Sequence, residues 1–227
     1  MNLLPGKSES TEKINNESAM SEIGQELISG LTQLLILMIL KKGPQHGYEL
    51  ASILEPIYGR RLSPGTIYPL LQRMEEKEYI QSRTMIVSGR KRKTYIITRM
   101  GRIAMDNALV SLKSILQSQN PNIDQDAPGI ELLKSLAQFR ILLILDQSPL
   151  HGYELVEKLD NYFGQKIALG TIYPSLHRLV EKGYIESSSQ WDGDRERKVY
   201  ELTSSGKDAT KTALFELTRI ADDEIFE

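Results

Sequence analysis

Arg90, Lys91, Arg92 and Lys93 stand side by side with no acid among them. Such a run attracts phosphates electrostatically, whatever the sequence of the polymer that carries them. Upstream, Thr66, Tyr68, Gln72 and Arg73 fall on one face if the segment is helical. Their chemistry complements that of the cations. A hydroxyl bonds a phosphate oxygen, an amide or guanidinium reaches base edges, and a phenol packs on sugar. At a constant offset of 105 positions the same kinds of residue recur as Thr171, Tyr173, His177 and Arg178, followed by Arg195, Arg197 and Lys198. In this second set Asp192, Asp194 and Glu196 stand among the bases.

The offset holds without a gap from Glu26/Glu131 to Gly101/Gly206, and roughly 34 of 76 paired positions are identical. The chain therefore carries an internal duplication. At 227 residues it has room for two small domains. The division expected is a disordered tail over 1–20, a first domain over 21–118, a linker over 119–129 and a second domain over 130–227.

The elements that must hold these residues follow from periodicity. Ile23, Leu27, Leu31, Leu34, Leu35 and Met38 predict a first helix from Ser21, apolar all round between Leu34 and Leu40. Lys41-Lys42-Gly43-Pro44 ends it. A second helix is predicted from His46 to about Tyr58, with Tyr48, Leu50, Ile53 and Leu54 inward. In the third, Ile67, Leu71 and Met74 face the core, which leaves Thr66, Tyr68, Gln72 and Arg73 outside. Pro69 places its start near Gly65, within the first turn. A strand to Val87, a turn at Ser88-Gly89 and a returning strand through Thr94–Ile97 predict a hairpin. Thr98 then caps a helix to about Gln117, with Ile103, Leu109, Leu112 and Leu116 as its apolar stripe. The same order repeats from Ile130. The class is mainly α (α+β): tandem winged helix-turn-helix domains, each with an added C-terminal helix.

One combination is specific. An apolar first helix is followed by Pro-x-His-Gly-Tyr-Glu-Leu, then Gly-Thr-Ile-Tyr-Pro-x-Leu-x-Arg, then Glu-Lys-x-Tyr-Ile, in both copies. The chain resembles the PadR family of transcriptional regulators. The resemblance implies a winged-helix domain whose third helix reads double-stranded DNA and a C-terminal helix used for dimerisation. It implies mostly repressors, many of them released by a small-molecule inducer. The typical member carries one such domain and pairs as a homodimer, whereas this chain carries two. One chain then supplies both halves as an intrachain pseudo-dimer; a further homodimer stays open. The competing expectation is a winged-helix protein–protein adaptor that does not bind DNA.

Other chemistries find little footing. The chain has no cysteine, so disulfides, thiolate catalysis and Cys-based zinc sites are excluded. His46 and His151 have only Glu49 and Glu154 at chelating spacing, so a capping role is expected rather than a metal. No phosphate-binding glycine loop or nucleophile elbow occurs, and neither an enzyme nor a cofactor is expected. Trp191, the sole tryptophan, is expected in the core. The longest apolar run, Leu34–Leu40, is too short to span a bilayer, and the polar start is no secretory signal. A cytoplasmic protein is the expectation. The net charge of −2 still permits a local basic surface.

Overall fold

The computed structural model describes residues 29–87, 90–117, 121, 123, 124, 126–163, 169–192 and 195–226. The tail expected over 1–20 and the helical onset at 21–28 lie outside them.

A 3-10 turn, Ser29–Leu31, leads into α1 (Thr32–Lys42). Every residue from Leu34 to Leu40 is at most 4% exposed. The helix that is apolar all round is thus enclosed on every side. Lys41 and Lys42 occupy its last turn, where cations oppose the helix dipole. Gln45–His46 form a short strand, β1, so α2 begins one residue later than the sequence suggests and runs Gly47–Tyr58. The third helix, α3, is Pro64–Glu76. Strands β2 (Ile80–Val87) and β3 (Arg90–Ile97) form the hairpin, and α4 (Arg99–Gln117) follows.

The second unit repeats the order. A 3-10 segment, Ile130–Leu136, precedes α5 (Ala137–Leu145), β4 (Leu150–His151), α6 (Gly152–Phe163) and α7 (Leu169–Glu181). Strands β5 (Ile185–Asp192) and β6 (Arg195–Leu202) and helix α8 (Ser204–Ala221) complete it. Each unit has an antiparallel three-stranded sheet, ordered β1-β3-β2 or β4-β6-β5. This is a winged helix-turn-helix, present twice.

The joint between wing and last helix is built alike in both units. Gly101 N donates to Thr98 Oγ1 at 3.0 Å, and Gly206 N to Thr203 Oγ1 at the same distance. A Cβ on Gly101 would stand 2.0 Å from the Tyr79 carbonyl oxygen, and one on Gly206 1.9 Å from that of Tyr184. Only glycine allows that approach.

Two expected faces differ. Tyr48 is half exposed, and α2 buries Gly47, Leu50, Ala51, Leu54 and Ile57 instead, a face turned by one residue. On α4, Ile103 is 40% exposed, and Ala104, Met105, Ala108, Leu112 and Ile115 form the buried stripe.

Equivalent elements of the two units meet. α4 packs on α8, and one 3-10 segment packs on the other. The buried side chains form a single cluster running through both units. The described part of the expected linker lies against α4. Gly129, at φ +95°, is so close that a Cβ would fall 2.0 Å from Ala104 O, and Asn107 Nδ2 donates to Pro128 O at 3.1 Å. Glu131 accepts from Lys77 Nζ at 2.9 Å and from the Tyr79 hydroxyl, both in the first unit. Burial alone would raise the Glu131 carboxyl, but these donors outweigh it and hold the group below the usual carboxylate range.

Candidate nucleic-acid interface

Helix α3 buries Ile67, Leu71 and Met74, all at 1% exposure or less. The 3.6-residue period then turns Thr66, Tyr68, Gln72 and Arg73 outward, and all four are exposed. Ser63 caps the entry through its carbonyl, which accepts from Thr66 N at 2.9 Å and Ile67 N at 3.0 Å. The Ser63 and Thr66 hydroxyls lie 2.9 Å apart. Because α3 starts at Pro64, Pro69 sits in its second turn rather than its first. It therefore removes the helical donor that would pair with the carbonyl of Gly65, an exposed residue. In α7, Ile172, Leu176 and Leu179 are buried, and Tyr173, His177 and Arg178 are exposed. The side chain of Thr171 lies outside the described residues.

The wing stands beside α3. Antiparallel register pairs Arg83 with Thr94 and Met85 with Arg92, so Arg83 and Arg92 share one face of the hairpin. Both are exposed. Arg83 was not among the residues expected, although strand alternation alone would have found it. Lys93 pairs across with Thr84, on the opposite face. Its Nζ reaches Glu75 Oε2 of α3 at 3.5 Å and lies 5.9 Å from the Tyr95 ring centroid. The basic run is therefore not free of acids, as the sequence suggested: folding brings Glu75 to its end. The backbones of Arg90 and Lys91 belong to β3, and their side chains lie outside the described residues. Burial, then the neighbouring Glu75 and Tyr68, push the Tyr95 hydroxyl up to about 12, so it stays neutral.

His46 and His151 are structural in different ways. His46 N donates to Glu49 Oε2 at 2.7 Å, and His151 N to Glu154 Oε2 at 2.9 Å, fixing the start of each second helix. His46 Nδ1 lies 2.9 Å from Lys93 O, an obligate acceptor, so this nitrogen carries the proton and ties the helix start to the wing. Thr94 Oγ1 is 3.1 Å from the same nitrogen. In the second unit Val199 replaces Thr94, and His151 Nδ1 is buried without a partner among the described residues. Each imidazole stacks on the exposed tyrosine two residues on, His46 on Tyr48 and His151 on Tyr153. Among the described residues no cluster suits a metal.

Tyr48 and Tyr68 flank an open cleft of about 310 Å³ between α2 and α3, floored by Ala51 and Ile67, with Arg61 at its mouth. Arg61 was missed because it falls in the turn between helices, where no periodicity marks it.

The second wing differs. Arg197 lies over the Tyr153 ring, 5.0 Å from its centroid. Lys198 is exposed, whereas the side chain of Arg195 lies outside the described residues. Trp191 is 71% exposed near the end of β5, not in the core. Its counterpart Ile86 is 73% exposed. Both hairpins extend past the body that would have covered these side chains.

Among the described residues no helix is long and apolar enough to cross a membrane. The model of the transcriptional regulator PadR-like family matches the chain twice, over residues 36–107 and 141–212. Transcriptional regulator Rv3488 of Mycobacterium tuberculosis is 33% identical over 92 residues, which are 39% of this chain and 85% of that protein. An uncharacterized 37.1 kDa protein in transposon TN4556 of Streptomyces fradiae is 35% identical over 80 residues, 35% of this chain but only 22% of the relative's own length. The crystal structure of Bacillus subtilis PadR in complex with operator DNA is 29% identical to the matched part, with a TM-score of 0.31, covering 35% of this chain and 46% of that one. With the family's model matched in both units, the chain belongs to the PadR-like family of transcriptional regulators.

Proposed function

We propose that this chain is a sequence-specific DNA-binding repressor, confined to the cytoplasm, whose two domains, 21–118 and 130–227, act as an intrachain pseudo-dimer. The observation that carries the reading is the pair of exposed helix faces, Tyr68, Gln72 and Arg73 on α3 and Tyr173, His177 and Arg178 on α7. Each suits a major groove, where guanidinium, amide and imidazole meet base edges. The packing of α4 on α8 supports joint use of the two faces, with half-sites about one DNA turn, ~34 Å, apart. Gln72 and His177 differ, so the operator is an imperfect palindrome. Loss of either side chain costs about 1–3 kcal/mol of affinity.

Selection from a random DNA pool tests this. Two related but unequal half-sites are expected; a perfect palindrome, or no motif, rules the reading out. The exposed Trp191 on a wing rich in carboxylates favours a second reading, a protein–protein adaptor. A mobility-shift titration on genomic fragments at two salt concentrations separates the two. Repression is tested by transcription in vitro from a template carrying the selected site, with and without candidate small-molecule inducers.

A further inference from the structure

Helix α8 ends in a short segment, Asp222–Phe226, that reaches across to the first unit. Its shape is set by the helix end. Asp223 takes a left-handed conformation, φ 63°, and Glu224 N returns to Arg219 O at 2.9 Å. Ile225 and Phe226 pack against the common core. Its two acidic side chains both meet cations of the first unit. Asp223 Oδ2 receives Lys41 Nζ at 3.0 Å, and Asp222 Oδ1 receives Lys113 Nζ at 2.9 Å. Lys42 Nζ lies 5.6 Å from the Phe226 ring centroid. The other Asp223 oxygen is buried with no partner among the described residues, so Lys41 is what compensates this carboxylate.

The duplication shows what other pairings would do. The second unit has Asp146, Gln147 and Thr218 where the first has Lys41, Lys42 and Lys113. The first unit has Gln117, Ser118 and Pro121 where the second has Asp222, Asp223 and Phe226. Two second units meeting in the same geometry would set Asp146 against Asp223. Two first units would leave their lysines facing neutral groups. Only the mixed pairing matches cation to anion. Exposed ion pairs contribute little in absolute terms, but discrimination depends on differences, and like charges set face to face supply one.

We propose that Asp222–Phe226 is a selectivity key, which admits the first unit of its own chain and turns away the second unit of another copy. This rests on the reading that the two units of one chain pair with each other. The test uses the full chain. Because it has no cysteine, spin labels can be placed cleanly at Ser52→Cys and Glu157→Cys, equivalent exposed positions on α2 and α6. Distance distributions and solution mass are then read together. The wild type should show one narrow distance population. Asp222→Lys with Asp223→Lys opposes Lys41 and Lys113 but newly attracts Asp146 of a second copy. It should widen the distance distribution and raise the chain–chain association constant at least threefold. Adding Lys41→Glu, Lys113→Glu and Asp146→Lys inverts every pairing, so that the new lysines meet opposite charge in their own chain and like charge on a second copy, and should return the narrow population. If the lysine variant stays narrow and its mass unchanged, the key is refuted. If the fivefold variant fails to restore the narrow population, charge matching is not the cause and the key is refuted as well. A broad distribution in the wild type instead overturns the intrachain pairing on which the proposal rests.

Discussion

The two units agree in the core and share an exposed Tyr and Arg on the third helix, but differ on the wings. Ile67 and Ile172, and Leu71 and Leu176, are buried alike, and Thr98 and Thr203, with Gly101 and Gly206, make the same contacts. Elsewhere the sequence alignment sets Arg60 and Arg61 against Gln165 and Lys166 and Lys91 against Glu196, and the exposed Arg83 and Ile86 have the exposed Ser188 and Trp191 as counterparts. A buried position is constrained by volume and by backbone approach, so it tolerates little change. An exposed position is constrained by whatever it touches. The difference teaches that the first wing carries an excess of bases, whereas in the second Asp192, Asp194 and Glu196 cancel Arg195, Arg197 and Lys198. On the proposed function, one half anchors to the phosphate backbone and the other contributes mainly through its reading helix.

The largest expected effect tests the shared interior. Gly101→Ala and Gly206→Ala each drive a methyl into a backbone carbonyl that cannot swing away. Each should cost about 3 kcal/mol. Because one core cluster spans both units, each variant should unfold in a single, equally shifted calorimetric transition. Two separate transitions, with only one displaced, would show that the units are thermally independent.

That interior was largely legible beforehand. Ile67, Leu71 and Met74 are large and regularly spaced, so their face follows from periodicity alone. The α4 stripe was misjudged because alanines carry it, and Ala104 and Ala108 give a weak signal beside Ile103. Tyr48 was misjudged by one residue, a 100° rotation, since a short helix fixes its phase poorly. Strand β1 is two residues long and leaves no period to read. Trp191 illustrates a different limit. Alternation tells which face of β5 a side chain joins, but not how far the core extends beneath that face. Glu75 beside Lys93, and the lysines beside Asp222 and Asp223, are contacts between distant segments, and no local pattern encodes them.

The next effect concerns the wings. Replacing Arg90, Lys91 and Arg92 with Ala should flatten the log–log dependence of DNA affinity on salt by about two units. Lys93 is left in place because Glu75 already engages it. Replacing Arg195 and Arg197 should change the slope by about one unit or less. Equal slopes for the two variants would erase the proposed inequality. No change in the first would remove this wing from the backbone and strengthen the adaptor reading.

A smaller contrast sits at the second helix. A Cβ on Gly47 would come within 2.8 Å of Tyr68 Cε1, whereas on Gly152 the nearest atom is Tyr200 Cε2 at 3.4 Å. Gly47→Ala should displace the exposed Tyr68 ring and lower DNA affinity by about 1 kcal/mol, the low end for one lost contact. Gly152→Ala should be neutral within about 0.5 kcal/mol. Titration calorimetry with the selected operator measures both, and equal losses would contradict the asymmetry.

Smaller still is the acid dependence of the contact between units. The folded Glu131 carboxyl is held below its ordinary value of 4.5. Its contribution is therefore complete above that value and is lost as pH falls through the lower folded one. Against Glu131→Gln, the wild type should gain about 1 kcal/mol or less at neutral pH, and the gap should close in acid. A gap that is constant across the titration would mean that the carboxylate's charge is irrelevant.

The least expected effect is the most direct probe of the second wing. Trp191 is the sole tryptophan and is 71% exposed, so intrinsic emission reports on this one hairpin. Register pairs it with Glu196, and Asp192 follows it in the chain. The segment 192–198 has no net formal charge to draw it to phosphate, and Arg197 lies over the Tyr153 ring. If the wing stays clear of the duplex, operator binding leaves the emission wavelength unchanged, and Trp191→Ala alters affinity by less than about 0.5 kcal/mol. The counterpart Ile86 sits opposite Lys91 on the basic wing, so Ile86→Ala should cost more than Trp191→Ala. A blue shift or strong quenching on operator binding would instead place the indole against sugar or bases, as an apolar wedge in the minor groove. The second wing would then grip by shape where the first grips by charge. A shift seen only when a protein is added, with operator DNA having no effect, would move Trp191 to the adaptor reading.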